Sequence, residues 1–435
     1  MLCHRWTPCK PAHGRTDKLQ SAETMQYYPR TIEHALRQAL ADTPVVCLLG
    51  PRQCGKTTLA KYLDPERPYM SFDDDVLLAA ANNDPRGFIA ALPNAATLDE
   101  VQRVPELLPA LKLSVDQDRS PGRFLLTGSA NLLLLPTVNE SLAGRMEIVC
   151  LHPFTESEKE QTSGTFLERV ITNKLEPEIQ GREAAPPKEV IRRVATGGYP
   201  EPMTRSLPRA RQWHRQYLNS IIQRDVKTVA NVRGERELAR LLEVAALRTS
   251  TLLNASALGK DLGLYRETVE HYLGVLEKLY LIRRLPAWHR NAAKRLVKTA
   301  KLHVIDSGLA AGLAEFLPED WLPQQSFFGQ LFESFIVQQI IAQASWTDTD
   351  LRFWHYRDKD KVEVDLVVTR GRKAWGIEAK SSSTVKKNDG RGLRRLADQC
   401  GTDFQTGILL YAGDETFNLG DKRFWAVPVK KLWAL

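Results

Sequence analysis

Short apolar runs alternate with amphipathic stretches through the first third of this chain. The runs Val45–Leu49, Tyr69–Phe72, Ala95–Leu98, Phe124–Leu126 and Met146–Leu151 read as strands, and Thr31–Ala41 reads as the first helix. Apolar strands separated by helices imply an α/β unit, a parallel sheet with helices on both faces. We place this unit at residues 25–155. Residues 156–236 are mixed and mostly helical, a lid or linker, with a charged, proline-containing loop at Glu176–Lys188. Leu247–Leu281, inside a unit spanning 237–304, reads as helix, turn, helix. Asn254 caps a helix over Ala257–Leu262 and Gly263 ends it. Val269, Tyr272, Leu273, Leu276 and Leu279 then fall on one helical face. From 305 to 435 the pattern turns to α+β, and no repeat of fixed period is present. Residues 1–24 are polar and aperiodic, a disordered extension.

Composition narrows the function classes. The chain has 435 residues, 60 Lys+Arg and 52 Asp+Glu, a formal charge of +8. That excess permits a polyanionic partner such as nucleic acid without requiring one. The length is ample for several cores that need no disulfide or metal. Six scattered cysteines without a C-x-x-C pair read as a reduced, cytoplasmic set. Cys3, His4, Cys9 and His13 fit no common zinc spacing. The uncharged stretch Phe124–Asn139 contains Thr, Gly, Ser, Asn and Pro, so no membrane span is expected.

The sharpest motif follows the first strand. Gly50, Pro51, Arg52, Gln53, Cys54, Gly55, Lys56 and Thr57 satisfy G-x-x-x-x-G-K-[ST], with Thr58 adjoining. Glycines let successive backbone N–H groups turn inward on phosphate oxygens, and the following helix adds its positive end. Lys56 would reach the β and γ phosphates of ATP, and the Thr57 hydroxyl would ligate Mg²⁺. A later strand ends in Asp99 and Glu100. Asp99 suits Mg²⁺ held through water, and Glu100 suits the general base. Thr127-Gly128-Ser129 closes the next strand, and the Ser129 hydroxyl would sense the γ phosphate, position water or simply form a turn. Arg145 follows Ser141-Leu142-Ala143-Gly144. It reads as an arginine finger, in cis or across a homo-oligomer interface, or as a surface arginine.

These elements together resemble a prokaryotic family of AAA+ ATPases that carries a C-terminal domain of unknown function with a nuclease-like core. The likeness extends through Gly197–Pro202, Gln223–Val226, Leu281-Ile282 and Asp306–Leu309, covering about residues 25–435. It implies that Lys56 and Thr57 bind nucleotide and Mg²⁺ and that Asp99 and Glu100 form the hydrolytic pair.

Two further features bear on function. Residues 283–301 hold Arg283, Arg284, Arg290, Lys294, Arg295, Lys298 and Lys301 with no acid. After a helix-turn-helix this is the profile of a basic wing beside a phosphate backbone, or of a winged helix used for protein contact. Further on, Glu333 stands on an amphipathic helix, Asp365 in the strand Val362–Val368, and Glu378 and Lys380 on one face of the strand Trp375–Lys380. That order resembles the PD-(D/E)xK nuclease superfamily, a restriction-endonuclease-like α+β fold. By that resemblance Glu333, Asp365 and Glu378 hold a metal, and Lys380 orients water or stabilises charge. The expected protein is thus an ATP-hydrolysing AAA+ ATPase acting on or near nucleic acid. The alternatives are a non-catalytic nucleotide switch recruiting a partner protein and an ATP-gated nuclease.

Overall fold

A computed structural model describes all residues except 1–26, 130–141, 143, 176–186, 230–233, 292–298, 348–349 and 387. The predicted extension therefore lies outside the described residues, as do most of the predicted loop at 176–188 and the lysines and arginine of the predicted wing at 294, 295 and 298.

The first unit is a five-stranded parallel sheet of β1 (Val45–Leu49), β2 (Tyr69–Ser71), β3 (Ala96–Asp99), β4 (Phe124–Gly128) and β5 (Met146–Cys150), in the order β2-β3-β4-β1-β5. Every residue of β1 is buried. Val45, Cys47 and Leu49 join one apolar cluster with Leu107, Leu111 and Val115, while Val46 and Leu48 join another with Leu36, Leu59 and Leu63. Alternate side chains thus enter cores on opposite faces, which explains an unbroken apolar run where a half-exposed strand would alternate. Each buried aliphatic side chain contributes roughly 1.5–3 kcal/mol. Because all five strands run parallel, the ends of β1, β3 and β4 meet at one edge. Insertion of β4 between β1 and β3 sets the spacing of that edge.

The middle of the chain is helical. Helices at Glu235–Leu247, Ala255–Leu262 and Arg266–Lys278 pack against an antiparallel sheet of β6 (Thr251–Leu252), β7 (Ile282–Leu285) and β8 (Lys301–Val304), ordered β6-β8-β7. The second helix begins two residues earlier than its apolar pattern suggested. Asn254 Oδ1 accepts from the Ala257 N–H at 3.0 Å, a cap that includes Ala255 and Ser256 in the first turn. Gly263 ends it at φ +68°, a conformation that costs a side chain strain.

The C-terminal sheet has six strands. They are β9 (Arg352–Arg357), β10 (Glu363–Arg370), β11 (Lys373–Lys380), β12 (Phe404–Tyr411), β13 (Phe417–Asn418) and β14 (Phe424–Pro428), in the order β13-β14-β12-β11-β10-β9. The helix Gln325–Thr347 covers one face through Phe332, Phe335 and Ile336. Helix Arg391–Cys400 covers the other through Leu393 and Leu396. One apolar cluster runs from Phe166 through Leu241 and Leu281 to Trp433, so the middle and C-terminal units share a continuous core.

Candidate functional site

The phosphate loop joins β1 to the helix Lys56–Leu63. A Cβ on Gly50 would lie 2.1 Å from the Leu151 carbonyl oxygen, so only glycine fits there. Gly55 adopts φ +102° just before the helix. Lys56 is buried, and its ammonium donates to the carbonyl oxygens of Gly50 at 3.0 Å and Pro51 at 2.8 Å. The loop is therefore curled around its own lysine, which supplies the charge that phosphate oxygens would meet.

Asp99 ends β3 and is 4% exposed. It accepts from the Thr57 hydroxyl at 3.2 Å, from Ser71 at 3.4 Å, and from Tyr69 and Thr127. Four hydroxyl donors satisfy a buried carboxylate without cancelling its charge. Burial first, and the Asp99 carboxylate second, push the Tyr69 hydroxyl well above its usual range and keep it a donor. Next to it, Glu100 sits in the left-handed region at φ +59°. Its carboxylate accepts from the Ser129 hydroxyl at 3.1 Å and from Gln102, while Gln102 also donates to Ser129 at 3.0 Å. The structure thus gathers Lys56, Thr57, Asp99, Glu100 and Ser129 at the carboxyl ends of β1, β3 and β4, the crevice where ligands of open α/β sheets bind. Thr57 beside Asp99 fits an octahedral Mg²⁺ that keeps several waters.

Arg145 lies away from this group, its Nε 2.5 Å from Asp116 Oδ1 and its side chain 22% exposed. Two contacts brace the loop from behind and have no local sequence signal. Arg30, buried, donates to the Cys54 carbonyl oxygen at 2.9 Å. Tyr217, on the helix Leu207–Val229, donates to the Arg52 carbonyl oxygen at 3.0 Å and shares a 3.0 Å hydrogen bond with Tyr199. Gln102 and Tyr69 were likewise invisible in the motif, because their role depends on which strands are neighbours.

The basic segment differs from its expected use at three positions. Arg284 pairs with Glu277 at 2.6 Å and with Glu270 at 3.3 Å, and Arg283 Nε donates to Gln338 at 3.3 Å. Lys301 is 4% exposed and turned inward. These three belong to β7 and β8, where half of the β7 positions and all of the β8 positions are buried, so none is an open phosphate contact. Arg290 is exposed.

The C-terminal cluster departs further. Lys301 Nζ lies 2.5 Å from Glu333 Oε1 and 3.2 Å from Asp365 Oδ1, with Glu363 at 3.7 Å. The other Asp365 oxygen accepts from the Ala379 N–H at 3.0 Å. Burial alone would lower the Lys301 pKa, but the two carboxylates more than reverse this and hold it charged. Burial and the Asp365 charge push both Glu333 and Glu378 up. Lys380 donates to Asp389 at 2.9 Å. Among the described residues no group of three or more His, Cys, Asp or Glu is arranged to hold a metal. Glu333 and Asp365 meet at Lys301, so the expected metal position does not suit a divalent cation, because an ammonium already bridges these two.

Comparison with known proteins yields three matched stretches. Residues 42–159 match the family described as an AAA domain. Residues 187–320 match a domain of unknown function (DUF8612), and residues 328–432 match another (DUF4143). The chain is 29% identical over 436 residues to uncharacterized proteins of Mycobacterium tuberculosis and Mycobacterium bovis, covering 98% of this chain and 90% of each of those. Among solved structures it is similar to a Walker-type ATPase of Pyrococcus abyssi, with 19% identity, 66% of this chain and 96% of that chain covered, and a TM-score of 0.41. RuvB of Thermotoga maritima is 20% identical, with 61% and 93% covered and a TM-score of 0.28. The AAA domain match and the phosphate-loop sheet together support nucleotide binding and ATPase-type function.

Proposed function

We propose that this protein binds ATP with Mg²⁺ and hydrolyses it at the edge formed by β1, β3 and β4. The observation that carries the reading is the joint placement of Lys56, the Thr57–Asp99 pair and the Ser129–Glu100 pair on three neighbouring strand ends. Backbone N–H groups of Gly50–Thr57 and the start of the Lys56 helix cradle the phosphates. Lys56 leaves the Gly50 and Pro51 carbonyls and transfers its hydrogen bonds to β and γ oxygens. Thr57 and Asp99 would hold Mg²⁺, which neutralises charge on those oxygens when bound. Glu100 accepts the proton of the attacking water, and Ser129 and Gln102 fix the direction of its carboxylate. Arg145 acts across a subunit boundary once its bond to Asp116 is exchanged for a phosphate, which makes the working unit a homo-oligomer.

We read the middle unit as a winged helix, supported by three helices and an antiparallel sheet whose β7–β8 connection carries the remaining basic residues. Nucleic acid is its proposed partner, met through Arg290, Lys294, Arg295 and Lys298. The nuclease reading receives no such support, since neither the metal position nor Lys380 is open.

Nucleotide binding and turnover measured on two variants test the ATPase reading. Lys56→Ala should lose tight ATP binding. Glu100→Gln should retain it and lose hydrolysis, because an amide keeps the geometry but cannot act as base. Equal loss of binding in both would overturn the division of roles.

A further inference from the structure

We propose that the Lys301 ammonium is a built-in counter-ion standing where the carboxylate cluster of the C-terminal domain would hold a divalent cation. The cluster is then closed to metal and serves to join the middle and C-terminal domains. The inference is independent of the ATPase reading.

Four observations converge. Lys301 Nζ reaches Glu333 and Asp365 at 2.5 and 3.2 Å, so it sits between the oxygens that a metal at about 2.0–2.6 Å would have to bridge. A cation placed there would meet a like charge at van der Waals range in a buried setting, where repulsion is poorly screened. Asp365 is also engaged on its other side, where Oδ2 accepts from the Ala379 N–H at 3.0 Å. The lysine also arrives on a fixed backbone. Lys301 begins β8, the central strand of its sheet, and is paired with Leu252 of β6 on one side and Leu285 of β7 on the other. The pairing fixes the point from which the side chain enters the cluster. Finally, Lys380 is occupied by Asp389, which also accepts from the Lys386 N–H at 2.7 Å. The E-x-K spacing is present, but its lysine is committed to a loop.

A buried charge triad of this kind is strongly coupled, because removal of one member strands the others. Replacing Lys301 by an uncharged side chain of similar length should therefore convert a salt-bridged cluster into a metal site, as three carboxyl groups without a counter-ion recruit the nearest hard cation.

The test uses the full-length protein with Mn²⁺ alone, read by calorimetric titration and thermal melting, in four forms: wild type, Asp365→Asn, Lys301→Met and the double variant. Wild type and Asp365→Asn should bind Mn²⁺ alike. Lys301→Met should gain one site, at least about ten-fold tighter than any Asp365-dependent binding in wild type, and melt higher with Mn²⁺; the double variant should lose both gains. If Lys301→Met is recovered unfolded, its refolding by Mn²⁺ supports the proposal and failure to refold counts against it. Asp365-dependent Mn²⁺ binding by wild type, or Mn²⁺- and Asp365-dependent cleavage of DNA or RNA by wild type, overturns it whatever the variant does. So does a folded Lys301→Met protein that binds no added metal.

Discussion

Arg30 and Glu158 form an ion pair at 3.0 Å with side chains only 4% and 1% exposed, although 128 residues separate them in sequence. The same guanidinium donates to the Cys54 carbonyl oxygen in the phosphate loop and, at 2.6 Å, to that of His152. Glu158 in turn accepts from the backbone N–H groups of Thr31 and Thr155. One buried pair therefore ties the entry to the first helix, the rear of the phosphate loop and the chain leaving β5 into a single network.

Breaking this pair should cost folding stability and loop geometry together. Arg30→Ala leaves a buried carboxylate uncompensated and should destabilise by about 3–5 kcal/mol. Arg30→Lys keeps the charge, but its compact ammonium lacks the planar fork that spans three separated acceptors, so it should fold and bind ATP more weakly. Urea unfolding and nucleotide titration of the two variants separate these effects. Unaltered ATP affinity in a folded Arg30→Lys protein would show that the loop needs no brace from behind.

Arg145 offers a test of assembly. Arg145→Ala should lose turnover but keep ATP binding, because the arginine is held by Asp116 in the absence of nucleotide. Mixing it with Glu100→Gln should restore part of the activity, since some interfaces then join an intact Glu100 to an intact Arg145. Two inactive proteins that remain inactive after verified mixing would overturn the role of Arg145 across a subunit boundary.

Buried histidines make stability depend on pH. Burial pushes His355 down to about 4 and His303 well below its usual value. His355 Nε2 lies 3.0 Å from the Thr299 carbonyl oxygen, and His303 Nδ1 lies 3.1 Å from the Ser334 hydroxyl. Between pH 6.5 and about 4 the unfolded chain protonates these rings and the folded chain does not. Their contribution is therefore complete above pH 6.5 and is lost as pH falls, by about 1.4 kcal/mol per pH unit per histidine. Glu333 and Glu378, raised in the fold, act in the opposite direction, so the comparison must be made between variants. His355→Asn should unfold with a shallower pH dependence than wild type from pH 7.5 to 4.5, and parallel slopes would refute the assignment.

Nucleic-acid binding through the β7–β8 connection predicts a steep salt dependence. The slope of log affinity against log salt should be about −0.9 per phosphate neutralised on duplex. Changing Lys294, Arg295 and Lys298 together to Gln should flatten that slope and leave ATP binding intact. Arg284→Gln should not affect it, because Arg284 is already paired within the protein. An unchanged slope in the triple variant would assign the unit to protein contact.

The features legible in the sequence are those written in consecutive residues. An apolar run, two glycines and Lys56-Thr57 within a few positions define a strand, a loop and a helix start. Hydrogen-bond geometry along so short a stretch leaves little else to form. Asp99 and Glu100 were legible for the same reason, as acids ending an apolar run. The parallel sheet followed from alternation of strands and helices. Strand order did not, and it is the insertion of β4 between β1 and β3 that brings Thr127 to Asp99 and Ser129 to Glu100. The C-terminal cluster shows the limit most clearly. Spacing placed Glu333, Asp365 and Glu378 as candidates, and the chain brings Glu333 and Asp365 to one shared ammonium. Whether they face a metal or an ammonium depended on Lys301, which in the sequence belongs to a basic segment and looks like a surface charge. Only the fold brings that lysine to Glu333 of the helix Gln325–Thr347 and Asp365 of β10, because a buried charge is settled by which opposite charge lies within about 4 Å of it, and sequence spacing carries no such distance.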